Sequence, residues 1–176
     1  MRILLTGPPG VGKTTLVQQL AQKLENCGGF YTEELREGGK RIGFDIVTLD
    51  DGSRAALARV NTNVKGPKVG QYTVMIDEFE QLARISLTPK TLKSSRVVMI
   101  DEIGKMESFS SKFQTLVRQV YGNVEFGGHI VATIPHSRGN PLALVRGLLD
   151  RSDTEVVEVT KANRDQLVND LFIRLQ

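Results

Sequence analysis

The sequence predicts a three-layer α/β domain on a mainly parallel sheet, with a small antiparallel β section inserted into it. Three observations carry that prediction. Unalternating apolar runs, as in Val97-Val98-Met99-Ile100 and residues 129–134, read as strands buried on both faces, which is how parallel sheets read. These runs alternate with segments whose apolar residues recur at helical spacing. The third is at the start of the chain, where a short apolar strand, Ile3-Leu4-Leu5, passes through a glycine-rich turn into a helix opening at Lys13.

Taken in order, Leu16, Val17, Leu20, Ala21 and Leu24 share one face of the first helix, which ends before Gly28-Gly29. Residues 30–35 read as a strand, and Glu25-Asn26-Cys27-Gly28 leads almost straight into it, leaving little room for a strand segment ahead of Phe30. Glu37-Gly38-Gly39-Lys40 is a turn and residues 43–49 the returning strand, so the pair is a hairpin. Asp50-Asp51-Gly52 turns the chain again, toward a short strand at 55–60. Residues 61–68, polar and carrying Gly-Pro, form a surface loop before a short strand at 72–76.

Asp77 with Glu80 makes a capping box for a helix to Ile85, and the stretch around Pro89 is a connector. Ser110 or Ser111 caps a helix whose apolar face holds Phe113, Leu116, Val117 and Val120. Strand 129–134 closes at Pro135. Asn140-Pro141 then caps a helix to Leu149, with proline at its first position. A last strand at 155–159 precedes a terminal helix that begins at Thr160, with Leu167, Val168, Leu171, Phe172 and Leu175 on one side.

Composition narrows the function classes. The 176 residues are 40% hydrophobic and 24% charged, enough for one core, so one domain over 1–176 is expected. Net charge is +3, spread without the dense Lys/Arg run of a nucleic-acid arm, and the 6% of aromatics are not interleaved with basic residues. There is thus no strong nucleic-acid-binding signal. A lone Cys27 excludes an internal disulfide and a cysteine metal cluster. No signal-peptide pattern or membrane-length apolar run is present, so a soluble, intracellular protein, monomeric and without a membrane partner, is expected.

The turn after the first strand meets the pattern G-x-x-x-x-G-K-[ST] at Gly7, Gly12, Lys13 and Thr14, a phosphate-binding P-loop. Gly7, Gly10 and Gly12 let successive N–H groups point at an anion, and the following helix adds its positive dipole end. Pro8 and Pro9 stiffen the turn, and Val11 and Thr15 complete the loop. Lys13 supplies a point charge to the β/γ-phosphates and Thr14 a hydroxyl to Mg²⁺.

Strand 97–100 ends in Asp101-Glu102, which suits the second half of such a site. Asp101 holds Mg²⁺ through a water, and Glu102 accepts a proton from the attacking water. Lys105 is a candidate to offset charge on the γ-phosphate, and Thr133 to hydrogen-bond that phosphate or the water. His129 and His136 flank their strand without a second ligand at zinc spacing. Arg138, Arg146, Arg151 and Arg164 are the candidates for an arginine finger. Glu33-Glu34 reads as a solvated strand end, not an acid/base dyad.

Beyond these single motifs, TGPPGVGKTTL (6–16), GFYTEELREGGKRIGFDIVTLDDG (29–52), VGQYTV (69–74), VVMIDEIGKMESFS (97–110), VATIP (131–135), NPLALV (140–145) and VTKANRDQL (159–167) occur in that order. Together they resemble the small P-loop nucleoside-triphosphatases that include the thermophilic phosphohydrolases and the vertebrate cancer-related nucleoside-triphosphatase. The resemblance implies a RecA-like P-loop NTPase fold and Mg²⁺-dependent hydrolysis of ATP, GTP, CTP, UTP and TTP with low base selectivity, weaker on diphosphates. It also implies nucleotide-binding segments at 7–14 and at Val97, Val98, Met99, Ile100, Asp101, Glu102, Ile103 and Gly104. Two other readings remain. A small-molecule or nucleotide kinase needs an acceptor pocket and usually an arginine-rich lid, and no such basic lid segment is evident. A nucleotide-dependent binding or switch module would act on RNA or protein partners; a guanine-selective one wants Asn-Lys-x-Asp, and Thr160-Lys161-Ala162-Asn163 lacks the Asp.

Overall fold

The computed structural model describes residues 1–136 and 139–176. Its first strand, β1 (Arg2–Thr6), runs through the P-loop into α1 (Lys13–Lys23). Three further strands and a short pair then follow one another: β2 (Cys27–Glu37), β3 (Lys40–Thr48), β4 (Arg54–Arg59), β5 (Lys68–Val69) and β6 (Tyr72–Val74). Helices α2 (Ile76–Ser86) and α3 (Pro89–Ser94) lead to β7 (Val97–Ile100). A short 3-10 turn at Glu107–Phe109 precedes α4 (Ser111–Gly122), then β8 (His129–Thr133), α5 (Ala143–Leu149), β9 (Thr154–Glu158) and α6 (Arg164–Leu175).

Among the described residues nine strands form one sheet, in the order β5-β6-β4-β3-β2-β7-β8-β1-β9. The run β2-β7-β8-β1-β9 is parallel throughout. The antiparallel strands β3, β4, β6 and β5 continue the same sheet from the outer edge of β2. Alternation along the parallel strands sorts the core into two clusters. Leu4, Val98, Ile100, Ile130 and Ala132 face helices α2, α4 and α5. Ile3, Leu5, Val97, Met99 and Val131 face α1 and α6. The expected three layers are therefore present, as a helix layer on each face of the sheet.

Several boundaries differ from the sequence expectation, each for a physical reason. The strand expected at 30–35 begins at Cys27, and Cys27–Phe30 pair in parallel with Val97–Ile100, so there is room for a strand segment ahead of Phe30 after all. Gly28-Gly29 masks it, because glycine carries no strand preference. Gly29 is required here: its φ is +95° and a Cβ would collide with the Met99 carbonyl oxygen. Cys27 is half-buried next to it, and burial pushes its thiol up to about 11, so the sulfur stays protonated.

The connector at Pro89 is a helix, α3, with Thr88 Oγ1 accepting from Thr91 N. The Asp77/Glu80 capping box does not form. Met75 occupies the cap position, and Glu80 instead accepts from Ser110 Oγ and Lys112 Nζ, tying α2 to α4. Ser110 is the N-cap of α4, accepting from Phe113 N. Asn140-Pro141 lies ahead of α5 and does not cap it; the Asn140 side chain accepts from Arg146. The terminal helix starts at Arg164, because Thr160 and Asn163 close a turn on each other's backbone N–H groups first.

Candidate active site

The P-loop owes its curl to positive φ at Gly10 (74°) and Gly12 (111°). Val11 between them turns its side chain into the apolar cluster beneath, which pins the loop to the sheet. From α6, Arg164 Nη1 donates to the Val11 carbonyl at 3.1 Å and holds the loop from behind. Helix α1 has Gly12 at its N-cap, no side-chain cap and no acidic residue in its first turn. Its leading N–H groups are left facing outward as anion donors. Lys13 folds back so that Nζ donates to the Gly7 carbonyl at 2.9 Å, which carries its ammonium over the mouth of the loop.

Because β8 lies between β1 and β7, the loop and the Asp101-Glu102 pair are one strand apart at the same sheet edge. Side chains bridge that gap. Asp101, 1% exposed, accepts from Thr14 Oγ1 at 2.8 Å, from Thr32 N at 3.2 Å and from Thr32 Oγ1 at 3.0 Å on one oxygen. Its other oxygen accepts from Thr133 Oγ1. Four donors, from the first turn of α1, the middle of β2 and the end of β8, thus fix one carboxylate, as a buried charge requires.

Glu102 turns the other way, into a cleft of about 750 Å³ that Lys13, Thr14 and Lys105 also line. Burial pushes its pKa above the ordinary carboxylate value, the Asp101 charge adds to this, and Lys13 pulls it back. Behind it sits Glu107, 4% exposed, accepting from Gly104 N at 3.2 Å. Burial and the neighbouring Glu102 push Glu107 up to about 8, so it is a neutral acid at pH 7. Gly104 is small for a reason: a Cβ there would collide with Glu102 Oε1 and come within 2.9 Å of Glu107 Oε2.

Of the residues singled out from sequence, the fold gathers Pro9, Gly10, Gly12, Lys13, Thr14, Thr15, Glu102 and Lys105 around this cleft. Others it keeps away. The side chains of Val97, Val98, Met99 and Ile100 are fully buried between the helix layers, as is Ile103, and their role is to carry Asp101 and Glu102. Gly104 is buried with its N–H committed to Glu107. Thr133 is 0% exposed and spends its hydroxyl on Asp101, so it does not face the cleft as expected. Among the arginines, Arg146 bonds Asn140, Arg151 pairs with Asp153 and Arg164 holds the loop; Arg138 lies outside the described residues.

The sequence reading missed one wall entirely. Thr32, Glu33 and Glu34 on β2, Arg41 and Phe44 on β3, and Leu57 on β4 line the same cleft. Glu33 and Glu34 lie within β2 and not at a strand end; they are half-exposed and paired, Glu33 with Arg54 and Glu34 with Arg36 and Arg41, so they form no acid/base dyad. Arg36 is a neighbour on the same strand, whereas Arg41 and Arg54 are brought up by strand pairing.

A family model described as NTPase matches residues 2–172. Over 185 residues the chain is 47% identical to the cancer-related nucleoside-triphosphatase of Homo sapiens, covering 99% of this chain and 96% of that protein. To the nucleoside-triphosphatase THEP1 of Thermotoga maritima it is 42% identical over 173 residues, covering 98% and 94%. Among solved structures it is similar to the crystal structure of THEP1 from the hyperthermophile Aquifex aeolicus, with a TM-score of 0.85, 37% identity, and 100% and 99% of the two chains covered. The solution structure of a human cancer-related nucleoside triphosphatase matches with a TM-score of 0.82 and 44% identity over 99% and 97%.

Proposed function

Because the chain belongs to the NTPase family, we propose that this P-loop hydrolase releases the γ-phosphate of nucleoside triphosphates, with Glu102 as the base that activates water. The observation that carries the reading is the Thr14–Asp101 contact. It brings two motifs 87 residues apart into one site, with Glu102 next to Asp101 and aimed into the same cleft as Lys13.

In this reading the outward N–H groups of the loop and of α1, with Lys13, hold the β- and γ-phosphates. A water between Glu102 and the γ-phosphorus gives its proton to the carboxylate as its oxygen attacks in line. The bond from phosphorus to the β,γ-bridging oxygen breaks, and nucleoside diphosphate and phosphate leave. The raised pKa of Glu102 makes it a better base than an exposed carboxylate. Lys105, exposed at the cleft rim, offsets the charge that develops on the transferring oxygens.

A hydroxyl and a carboxylate 2.8 Å apart, both hard oxygen donors, suit Mg²⁺, which takes one or two protein oxygens and keeps its waters. Thr14 would ligate it directly and Asp101 through water; bound there, it supplies positive charge to the β- and γ-oxygens. Base selectivity is low, since the loop and α1 offer contacts to phosphates alone.

The experiment is phosphate release from ATP, GTP, CTP and UTP with Mg²⁺, for the wild type and Glu102→Gln at matched nucleotide occupancy. Hydrolysis of all four, with turnover lost in a variant that still binds nucleotide, is the expected result. Nucleotide binding without phosphate release in the wild type overturns the reading, and a strong preference for one base overturns the low selectivity.

A further inference from the structure

We propose that the cleft holds a second subsite, for a neutral nucleoside whose hydroxyl takes the γ-phosphoryl group in place of water. The inference rests on the orientation of the triphosphate given above. In-line displacement sets the attacking oxygen, the γ-phosphorus and the leaving oxygen in a row. With the attacking oxygen at Glu102, the donor's own nucleoside lies on the far side of the γ-phosphate from Glu102. Phe44 on β3 and Leu57 on β4 lie on the near side: β3 is two strands beyond β7, roughly 10 Å farther from the loop at ordinary strand spacing. The base of the bound triphosphate does not reach them, yet they line the same cleft.

The chemistry of that wall suits a planar heterocycle. Phe44 packs edge-on against Tyr72, with ring centroids 5.3 Å apart, and the Arg41 guanidinium lies 5.3 Å over its ring. A fixed guanidinium plane beside an aromatic ring is a stacking surface for bases. Leu57, Val69 and Met106 complete the apolar lining, and Glu34 offers hydrogen-bond acceptors at the rim. The arginines on this wall are already engaged by carboxylates, Arg36 and Arg41 by Glu34, Arg54 by Glu33 and Asp45, and Arg59 by Asp45. A second phosphate would have to displace a carboxylate to reach them, so the acceptor is a nucleoside and not a nucleotide.

The step balances. The acceptor's O–H proton passes to the Glu102 carboxylate and its oxygen bonds to the γ-phosphorus. The bond from that phosphorus to the β,γ-bridging oxygen breaks, and the products are nucleoside diphosphate and nucleoside monophosphate.

The test incubates the full chain with Mg²⁺, ATP radiolabelled in its γ-phosphate, and millimolar adenosine, guanosine, cytidine or uridine, then separates labelled monophosphate from free phosphate. Labelled monophosphate is expected from at least one nucleoside. Phe44→Ala is expected to lower the ratio of transfer to hydrolysis by about tenfold, the worth of one stacking contact. Arg41→Gln, at an exposed position that folding tolerates, shifts the ratio in the same direction. Steady hydrolysis with no labelled monophosphate from any of the four overturns the subsite and leaves the hydrolase reading standing. Transfer that both variants leave unchanged overturns its placement on this wall. If neither phosphate nor monophosphate forms, the hydrolase reading falls and the subsite with it.

Discussion

The two halves of the sheet are built to different rules. In the parallel half, β2-β7-β8-β1-β9, the central strands are buried on both faces, and polar groups emerge only at the strand ends, where Asp101, Thr133 and the P-loop meet. In the antiparallel half, one face packs on α2 through Ile46, Leu57 and Ala58, while the outer parts of β2 and β3 stay wet and carry ion pairs. The first half fixes charges by burying them among several donors. The second pairs charges mostly at its surface, where each pair is worth little, with Asp45 buried between Arg54 and Arg59. A cleft between them has one rigid wall, which suits the unvarying triphosphate, and one wall whose residues exchange at small cost to the fold.

That contrast can be broken at four places, taken from the largest effect down. Glu102→Gln strikes the rigid wall's chemistry: kcat for phosphate release should fall about 10²–10⁴-fold, the usual share of a general base, with nucleotide affinity held within a few-fold in a fluorescent-analogue titration. If turnover survives, the base lies elsewhere on the wall. Gly29→Ala strikes its packing. With φ at +95° and the Met99 carbonyl in the way, the variant should lose roughly 3 kcal/mol or more in a denaturant melt. Gly38→Ala, at the hairpin tip with φ +54° and open space, should lose only about 1 kcal/mol. Equal losses would erase the distinction between the halves.

The third place is Glu107. Its folded pKa of about 8 lies above the ordinary 4.5, so between those values the native state holds a proton that the unfolded chain has released. Its contribution is therefore fully present below about 4.5 and is lost as pH rises toward about 8. Glu107→Gln should flatten the decline in melting temperature between pH 5 and pH 8.5, sharpening the view that burial dominates this half. A decline as steep as the wild type's counts against it. The smallest effect belongs to the wet wall: Arg54→Ala, which breaks the exposed pair with Glu33 and leaves buried Asp45 to Arg59, should cost about 0–1 kcal/mol and less at high salt.

The same contrast governs what was legible in the sequence. The P-loop could be read because its residues act through local backbone geometry at fixed spacing, and strand 97–100 because burial on both faces leaves an unbroken apolar run. Thr133 sits on the expected strand and sheet edge but donates its hydroxyl to Asp101, a partner that only the strand order reveals. Arg41 and Phe44 look like ordinary hairpin residues until β3 is paired with β2 and swung beside the loop. Glu107 looks solvated in Lys-Met-Glu-Ser, and its burial comes wholly from the packing around it. Asp77 and Asn140 each spell a helix cap and Thr160 a helix start, but helix ends depend on where tertiary contacts let a helix begin. Glu80, needed by α4, shows the competition directly.

The place of β1 in the sheet bears on how the molecule is made. It precedes β8 and β9 by more than a hundred residues, yet these are its two neighbours, with residues 2–5 paired against 130–133 on one side and residues 2–6 against 154–158 on the other. A growing chain can fold the antiparallel strands as soon as they emerge, since those join sequence neighbours. The phosphate loop has no seat until the last strand arrives. Long-range parallel pairing of this kind slows folding, and until it completes, the apolar Ile3-Leu4-Leu5 and the α1 face behind it stay uncovered. The seat of the phosphate loop is thus completed only once residues 154–158 have been made and paired with β1.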